Sequence, residues 1–145
     1  QNEKLIAELF ENDGKKMLRT YNKRYITGKD DTSCSICTSN SIAKSGRAGG
    51  NEVHWTIERK TDDKVVFKAS NGQYMCDDTG TFTGAVKLVN NVNGSCVLWT
   101  PVKNDDGSWS FRKGKSGWLS AHRTDDYVVT MSEKLACEKF WLESW

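Results

Sequence analysis

Apolar positions recur along the chain in a threefold register. With residues 6–28, 55–77 and 99–121 set under one another, the windows open on Ile6, Trp55 and Trp99, and a central apolar column holds Leu18, Phe67 and Phe111. Basic Arg19, Lys68 and Arg112 follow that column, and an aromatic column of Tyr25, Tyr74 and Trp118 is followed in turn by Ile26, Met75 and Leu119. Asp13, Asp62 and Asp106 share a turn column, and Phe140 stands one unit further on in the place of Trp55 and Trp99. The units therefore run over about 6–54, 55–98 and 99–139, with a closing strand at 140–145. Self-similarity of this kind marks a repeat architecture.

Within each unit the local period is two. Trp55-Thr56-Ile57-Glu58 and Phe140-Trp141-Leu142-Glu143 alternate apolar and polar positions, and Val65-Val66-Phe67-Lys68 is β-branched and aromatic. Turn signals separate these runs at Asn12-Asp13-Gly14, Asp62-Asp63, Asn71-Gly72 and Asp105-Asp106-Gly107. Glu3 to Glu11 is the best helix candidate, but Ile6 lies in the repeat register, so a strand is expected there. Four short strands per unit predict an all-β domain of twelve strands in three pseudo-symmetric units. No unit could bury its apolar face alone, so the three close around a common core of Ile6, Trp55, Trp99, Leu18, Phe67, Phe111, Ile26, Met75 and Leu119.

Composition narrows the class. A chain of 145 residues suits a single domain, and a formal charge of +2 lacks the basic excess of an electrostatic nucleic-acid binder. The acidic doublets Asp30-Asp31, Asp62-Asp63, Asp77-Asp78, Asp105-Asp106 and Asp125-Asp126 read as solvated turn tips. No apolar run reaches membrane-spanning length, and residues 1–4 lack the apolar core of a signal peptide. Five cysteines, Cys34, Cys37, Cys76, Cys96 and Cys137, are disulfide candidates that favour secretion, and their odd number leaves one thiol free or bridging two chains. Cys34-Ser35-Ile36-Cys37 has redox or zinc-like spacing, but no second close pair accompanies it, so no metal or cofactor is expected. Asn93-Gly94-Ser95 is an N-glycosylation acceptor sequence within an exposed loop.

The stretch Val65-Val66-Phe67-Lys68-Ala69-Ser70-Asn71-Gly72-Gln73-Tyr74-Met75, together with the recurring aromatic and the Asp-Gly-type turn, resembles the β-trefoil domains of the fascin-like group. That resemblance extends over nearly the whole chain and implies a β-trefoil. Trefoils serve as lectins, cytokines, protease inhibitors, toxin modules and actin bundlers, so it implies binding of a glycan or a protein surface.

Catalysis finds no motif. His54 and His122 are the two histidines, and neither lies in a recognisable nucleophile or metal signature, so the chain is not expected to be an enzyme. Alternation on the closing strand turns Trp141 and Trp145 outward, either to pack near Leu5, to stack on a sugar or to meet a second subunit as a homodimer. In the third unit His122, Asp125, Asp126 and Tyr127 join acids to an aromatic, a combination that suits hydroxyl-rich ligands. The sequence therefore favours a secreted carbohydrate-binding, lectin-like domain. The alternative is a protein-binding module, either a secreted effector or inhibitor or an actin-associated protein.

Overall fold

The computed structural model describes residues 7–28, 36–39, 53–77, 86–113, 117–121, 128–131 and 133–145. Among these are twelve strands. The first unit holds β1 (Lys15–Arg19), β2 (Tyr25–Gly28) and β3 (Ile36–Ser39). The second holds β4 (Trp55–Thr61), β5 (Lys64–Ala69), β6 (Tyr74–Asp77) and β7 (Val86–Val89). The third holds β8 (Thr100–Lys103), β9 (Trp109–Lys113), β10 (Gly117–Ala121) and β11 (Val128–Met131), and β12 (Trp141–Ser144) ends the chain.

The threefold register is physical. Thr56 pairs with Lys68, Thr100 with Arg112 and Trp141 with Arg19, so each basic residue of the repeat faces the residue that follows a barrel aromatic. Those aromatics in turn join neighbouring units, Trp55 opposite Lys16, Trp99 opposite Val65 and Phe140 opposite Trp109. The outer hairpins repeat as well, with Tyr25 opposite Ser39, Tyr74 opposite Val89 and Trp118 opposite Met131.

The strand expected over Glu3 to Glu11 is not found in its described part. Residues 1–6, with Ile6 and Leu5, are outside the described set, and Glu8–Gly14 is a 3₁₀ turn rather than the continuation of a strand. It ends in three consecutive left-handed residues, Asn12, Asp13 and Gly14, two of which tolerate that conformation through short polar side chains and the third through having no Cβ. β12 pairs with β1 as β4 pairs with β5.

Apart from Ile6, which is not among the described residues, the expected core is buried. Leu18, Ile26, Trp55, Phe67, Met75, Trp99, Phe111, Leu119 and Phe140 have no exposed surface. Phe67 meets Phe111 edge to face at 4.8 Å between ring centroids, a favoured aromatic geometry. A buried indole N–H needs an acceptor, and the repeat supplies it. Trp55 Nε1 donates to the Ile26 carbonyl at 3.0 Å and Trp99 Nε1 to the Met75 carbonyl at 3.2 Å, two positions of one column. Phe140 has no donor to place.

The cysteines divide. Cys76 on β6 and Cys96 in the 3₁₀ segment Ser95–Val97 form a disulfide beside a small apolar cluster with Val66 and Val97. Cys137 is a buried free thiol. Cys37 lies on β3 opposite Thr27, while its side chain and all of Cys34 fall outside the described residues. The doublets Asp62-Asp63 and Asp105-Asp106 are exposed turn residues, but Asp77 is buried. Its position corrects the turn-tip reading: Asp77 shares a column with Gly28 and Ala121, at the inward-facing end of a paired strand.

Candidate functional site

A cleft of about 610 Å³ opens on the second unit, lined by His54, Thr56, Glu58, Lys68, Ser70, the Asn71-Gly72 turn and Trp145. Strand alternation builds it. On β4, Trp55 and Ile57 turn into the core, which sends Thr56 and Glu58 outward; on β5 Phe67 and Ala69 do the same for Lys68, and Ser70 follows in the exposed turn. Asn71 is committed to its own turn, accepting the Gln73 main-chain N–H at 3.0 Å and donating to the Gln73 side chain at 2.8 Å.

One wall is fixed by Trp145. Its Nε1 donates to the Trp55 carbonyl at 3.0 Å, and its own main-chain oxygen accepts from Asn12 Nδ2 at 2.7 Å. The His54 imidazole lies parallel to the indole with centroids 4.3 Å apart, and the Lys15 ammonium stands 5.3 Å from the same ring. Trp145 is 39% exposed, but a ring so held is a wall rather than a bare stacking platform. Burial draws the His54 pKa below its usual value, so the imidazole is neutral at pH 7.

Trp141, the other tryptophan expected to face outward, is half-buried, with the Arg19 guanidinium 5.7 Å from its ring. Arg19 Nε also lies 2.9 Å from Glu143 Oε2, and the Tyr25 hydroxyl donates to Glu143 Oε1 at 2.7 Å. Burial first, then the Glu143 bond and charge, push the Tyr25 pKa up to about 12. This cluster is the first-unit counterpart of the cleft. Arg19 and Glu143 stand where Lys68 and Glu58 stand in the second unit. In the first unit acid and base close on each other, whereas among the described residues neither the Glu58 nor the Lys68 side chain has a hydrogen-bond or ion-pair partner. In the third unit Val102 replaces the acid.

His122, Asp125, Asp126 and Tyr127 lie outside the described residues. Asn93 is exposed in the turn before Ser95–Val97. Among the described residues no group of three or more His, Cys, Asp or Glu side chains could hold a metal ion, and no helix is long and apolar enough to cross a membrane. No motif in the sequence assigns Glu58 or Lys68 to a site, and His54 stands outside any catalytic signature. The signal was present in the repeat: the column two residues beyond Thr56 holds acid, acid and valine in Glu58, Glu143 and Val102, a break in symmetry beside an otherwise constant base.

Three units closed by equivalent aromatics define a β-trefoil, and solved structures agree. The designed three-fold symmetric protein ThreeFoil matches with a TM-score of 0.73 and 16% identity over 92% of this chain and 100% of its own. The BEL β-trefoil matches with a TM-score of 0.69 and 11% identity over 89% of this chain and 91% of its own. A GlcNAcα1-4Gal-releasing endo-β-galactosidase from Clostridium perfringens matches at 0.73 and 11% identity, over 88% of this chain but 31% of the enzyme. No family model and no curated protein matches the sequence. At these identities the likeness establishes the fold.

Proposed function

We propose that this β-trefoil binds carbohydrate without catalysis, in an extracellular setting, and that the cleft bounded by Trp145 and the β4–β5 face is a principal site. The observation that carries this reading is the unengaged pair Glu58 and Lys68 on one cleft wall. A carboxylate accepts sugar hydroxyl hydrogens, an ammonium donates to ring and hydroxyl oxygens, and Thr56 and Ser70 add groups that do both. The disulfide supports an oxidising compartment. The matched segment of a glycan-cleaving enzyme shows the same fold beside carbohydrate chemistry.

An open cleft with few polar contacts fits monovalent affinity of roughly micromolar to millimolar. A glycan array identifies the ligand, and titration calorimetry with Glu58→Gln and Lys68→Met then tests the site. Hydrogen bonds to charged groups contribute about 1.5–3 kcal/mol, so each variant should bind roughly ten- to a hundredfold more weakly. Asp126→Ala and Tyr127→Ala form the parallel arm for the third-unit segment containing His122 and Asp125. Loss there with unchanged binding in the Glu58 and Lys68 variants moves the site to that segment. A silent array with actin co-sedimentation, or with capture of a protein ligand, transfers the assignment to the protein-binding alternative and its fascin-like form.

A further inference from the structure

We infer that Asn93 is an N-glycosylation site, whose side-chain amide takes an oligosaccharide from a lipid-pyrophosphate donor. Asn93-Gly94-Ser95 is the one Asn-x-Ser/Thr tripeptide in the chain. A tripeptide alone says little, since modification requires an accessible amide and an accessible hydroxyl two residues later. The structure supplies both. Asn93 and Ser95 are exposed, and among the described residues neither side chain has a hydrogen-bond partner.

Their main chains are held by other groups. Asn91 Oδ1 accepts the Asn93 main-chain N–H at 2.8 Å, so the turn is closed by Asn91 and does not depend on the Asn93 amide. The Ser95 carbonyl accepts from the Leu98 N–H at 3.2 Å and from Lys113 Nζ at 2.8 Å, which anchors the residue and leaves its hydroxyl spare. Gly94 between them adds no side chain to obstruct an approaching transferase. One residue beyond, Cys96 is oxidised in the disulfide with Cys76. An oxidising compartment is also where Asn-x-Ser/Thr acceptors meet the transfer machinery in secretory pathways.

The step balances within the chemistry named. Asn93 Nδ2 forms a bond to C1 of the first sugar, the C1–O bond to the pyrophosphate breaks, the amide loses one proton and the lipid pyrophosphate departs. No redox change occurs. Because Asn93 is exposed, the fold should accept the glycan with little change in stability. Gln73 Nε2 donates to Asn90 Oδ1 at 3.2 Å, so the loop that carries the glycan adjoins the Asn71–Gln73 turn at the cleft rim.

The test is secretion of the full chain from glycosylating cells behind a cleavable export signal, with intact mass measured before and after peptide-N-glycosidase. One glycan is expected, and its enzymatic removal should leave Asp at position 93. Asn93→Gln and Ser95→Ala should each be secreted without glycan, while Ser95→Thr should keep it at equal or higher occupancy. The Ser95 pair guards against misfolding, because both variants change the same exposed hydroxyl position. Wild-type protein recovered from the medium with its disulfide formed and no glycan overturns the inference, as does a glycan that persists in Asn93→Gln. Binding by the cleft plays no part in these readouts, so failure here is separate from failure of the carbohydrate reading.

Discussion

Cys137 occupies in the third unit the place that Cys96 holds in the second. Each is the middle residue of a three-residue 3₁₀ segment, Ala136–Glu138 and Ser95–Val97, and each precedes by the same interval a barrel aromatic, Phe140 or Trp99, bridged to the neighbouring hairpin. The segments pack alike, Ser95–Val97 on β6 and Ala136–Glu138 on β10. What differs is the partner. Cys96 meets Cys76, whereas the third-unit counterpart of Cys76 is Ser120, whose hydroxyl donates to Glu138 Oε2 at 2.5 Å.

Ser120→Cys is therefore expected to form a disulfide with Cys137. Closing a loop of this size is worth about 3 kcal/mol in the chain-entropy account. Removing the Ser120 hydroxyl leaves Glu138 Oε2 without that donor in a buried setting, a cost of about 1–3 kcal/mol. The two nearly offset, so the informative measurement is covalent: alkylation without reductant should label one thiol fewer than in the parent. An unchanged thiol count would show that the two segments are not equivalent. Cys96→Ser in the second unit should cost about 2–5 kcal/mol.

Two glycines with positive φ should respond differently to alanine. Gly107 has φ +92 and open space around a built Cβ, so Gly107→Ala carries only the left-handed backbone term of about 1–2 kcal/mol. At Gly14, φ +76, a Cβ would stand 2.2 Å from the Ile57 carbonyl oxygen, and backbone cannot rotate aside as a side chain can. Gly14→Ala should exceed Gly107→Ala by about 1–3 kcal/mol in denaturant unfolding, the usual range for overpacking. Equal losses would mean that the 8–14 turn does not pack against β4.

The barrel columns were legible in the sequence because two constraints agree on them. Period-two alternation assigns Leu18, Phe67 and Phe111 to one face, and the repeat then fixes their register against Trp55, Trp99 and Phe140. Phe67→Ala, which removes a ring packed edge to face on Phe111, should accordingly cost about 3–5 kcal/mol. The entry into the first unit was not legible in the same way. The apolar column and the alternation do not reveal that residues 8–14 form a 3₁₀ turn with three left-handed residues at its end. β12 brings Trp141 opposite Arg19 and Leu142 opposite Leu18. The cleft was hidden for a related reason: Glu58, Lys68 and Trp145 come from three separate stretches, and only pairing and closure bring them to one surface.

Tyr25 should titrate late. Burial and the bond to Glu143 raise its pKa to about 12, with Arg19 opposing. A group whose folded pKa exceeds its unfolded value of about 10 contributes stability that is complete below pH 10 and lost as pH rises towards 12. Ultraviolet difference titration should show one phenolate forming near the top of the range. In Glu143→Gln the charge is gone but burial remains, so the midpoint should fall while staying above 10. A Tyr25 that titrates with exposed phenols would show that the Glu143 bond is not made.

Acidification should act through His54. Burial lowers its pKa, so the folded state holds fewer protons on this imidazole than the unfolded chain does. The sign follows from linkage: the stability associated with neutral His54 is present above the unfolded value of about 6.5 and is lost as pH falls through the lower folded value. The groups around it decide what protonation does locally. Trp145 stacks on the ring at 4.3 Å, Lys15 is drawn to the same indole, and Lys68 and Glu58 share the cleft. An imidazolium would add a third cation to Lys15 and Lys68 against the single carboxylate of Glu58. The His54 ring protons, followed by nuclear magnetic resonance, should titrate with a midpoint below 6.5. Thermal stability should fall over the same interval, and His54→Gln, which keeps a planar polar group beside Trp145, should remove that part of the pH dependence. A midpoint at or above 6.5 would mean that Glu58 stabilises the cation more than burial opposes it, and the cleft would then gain, rather than lose, an internal ion pair on acidification.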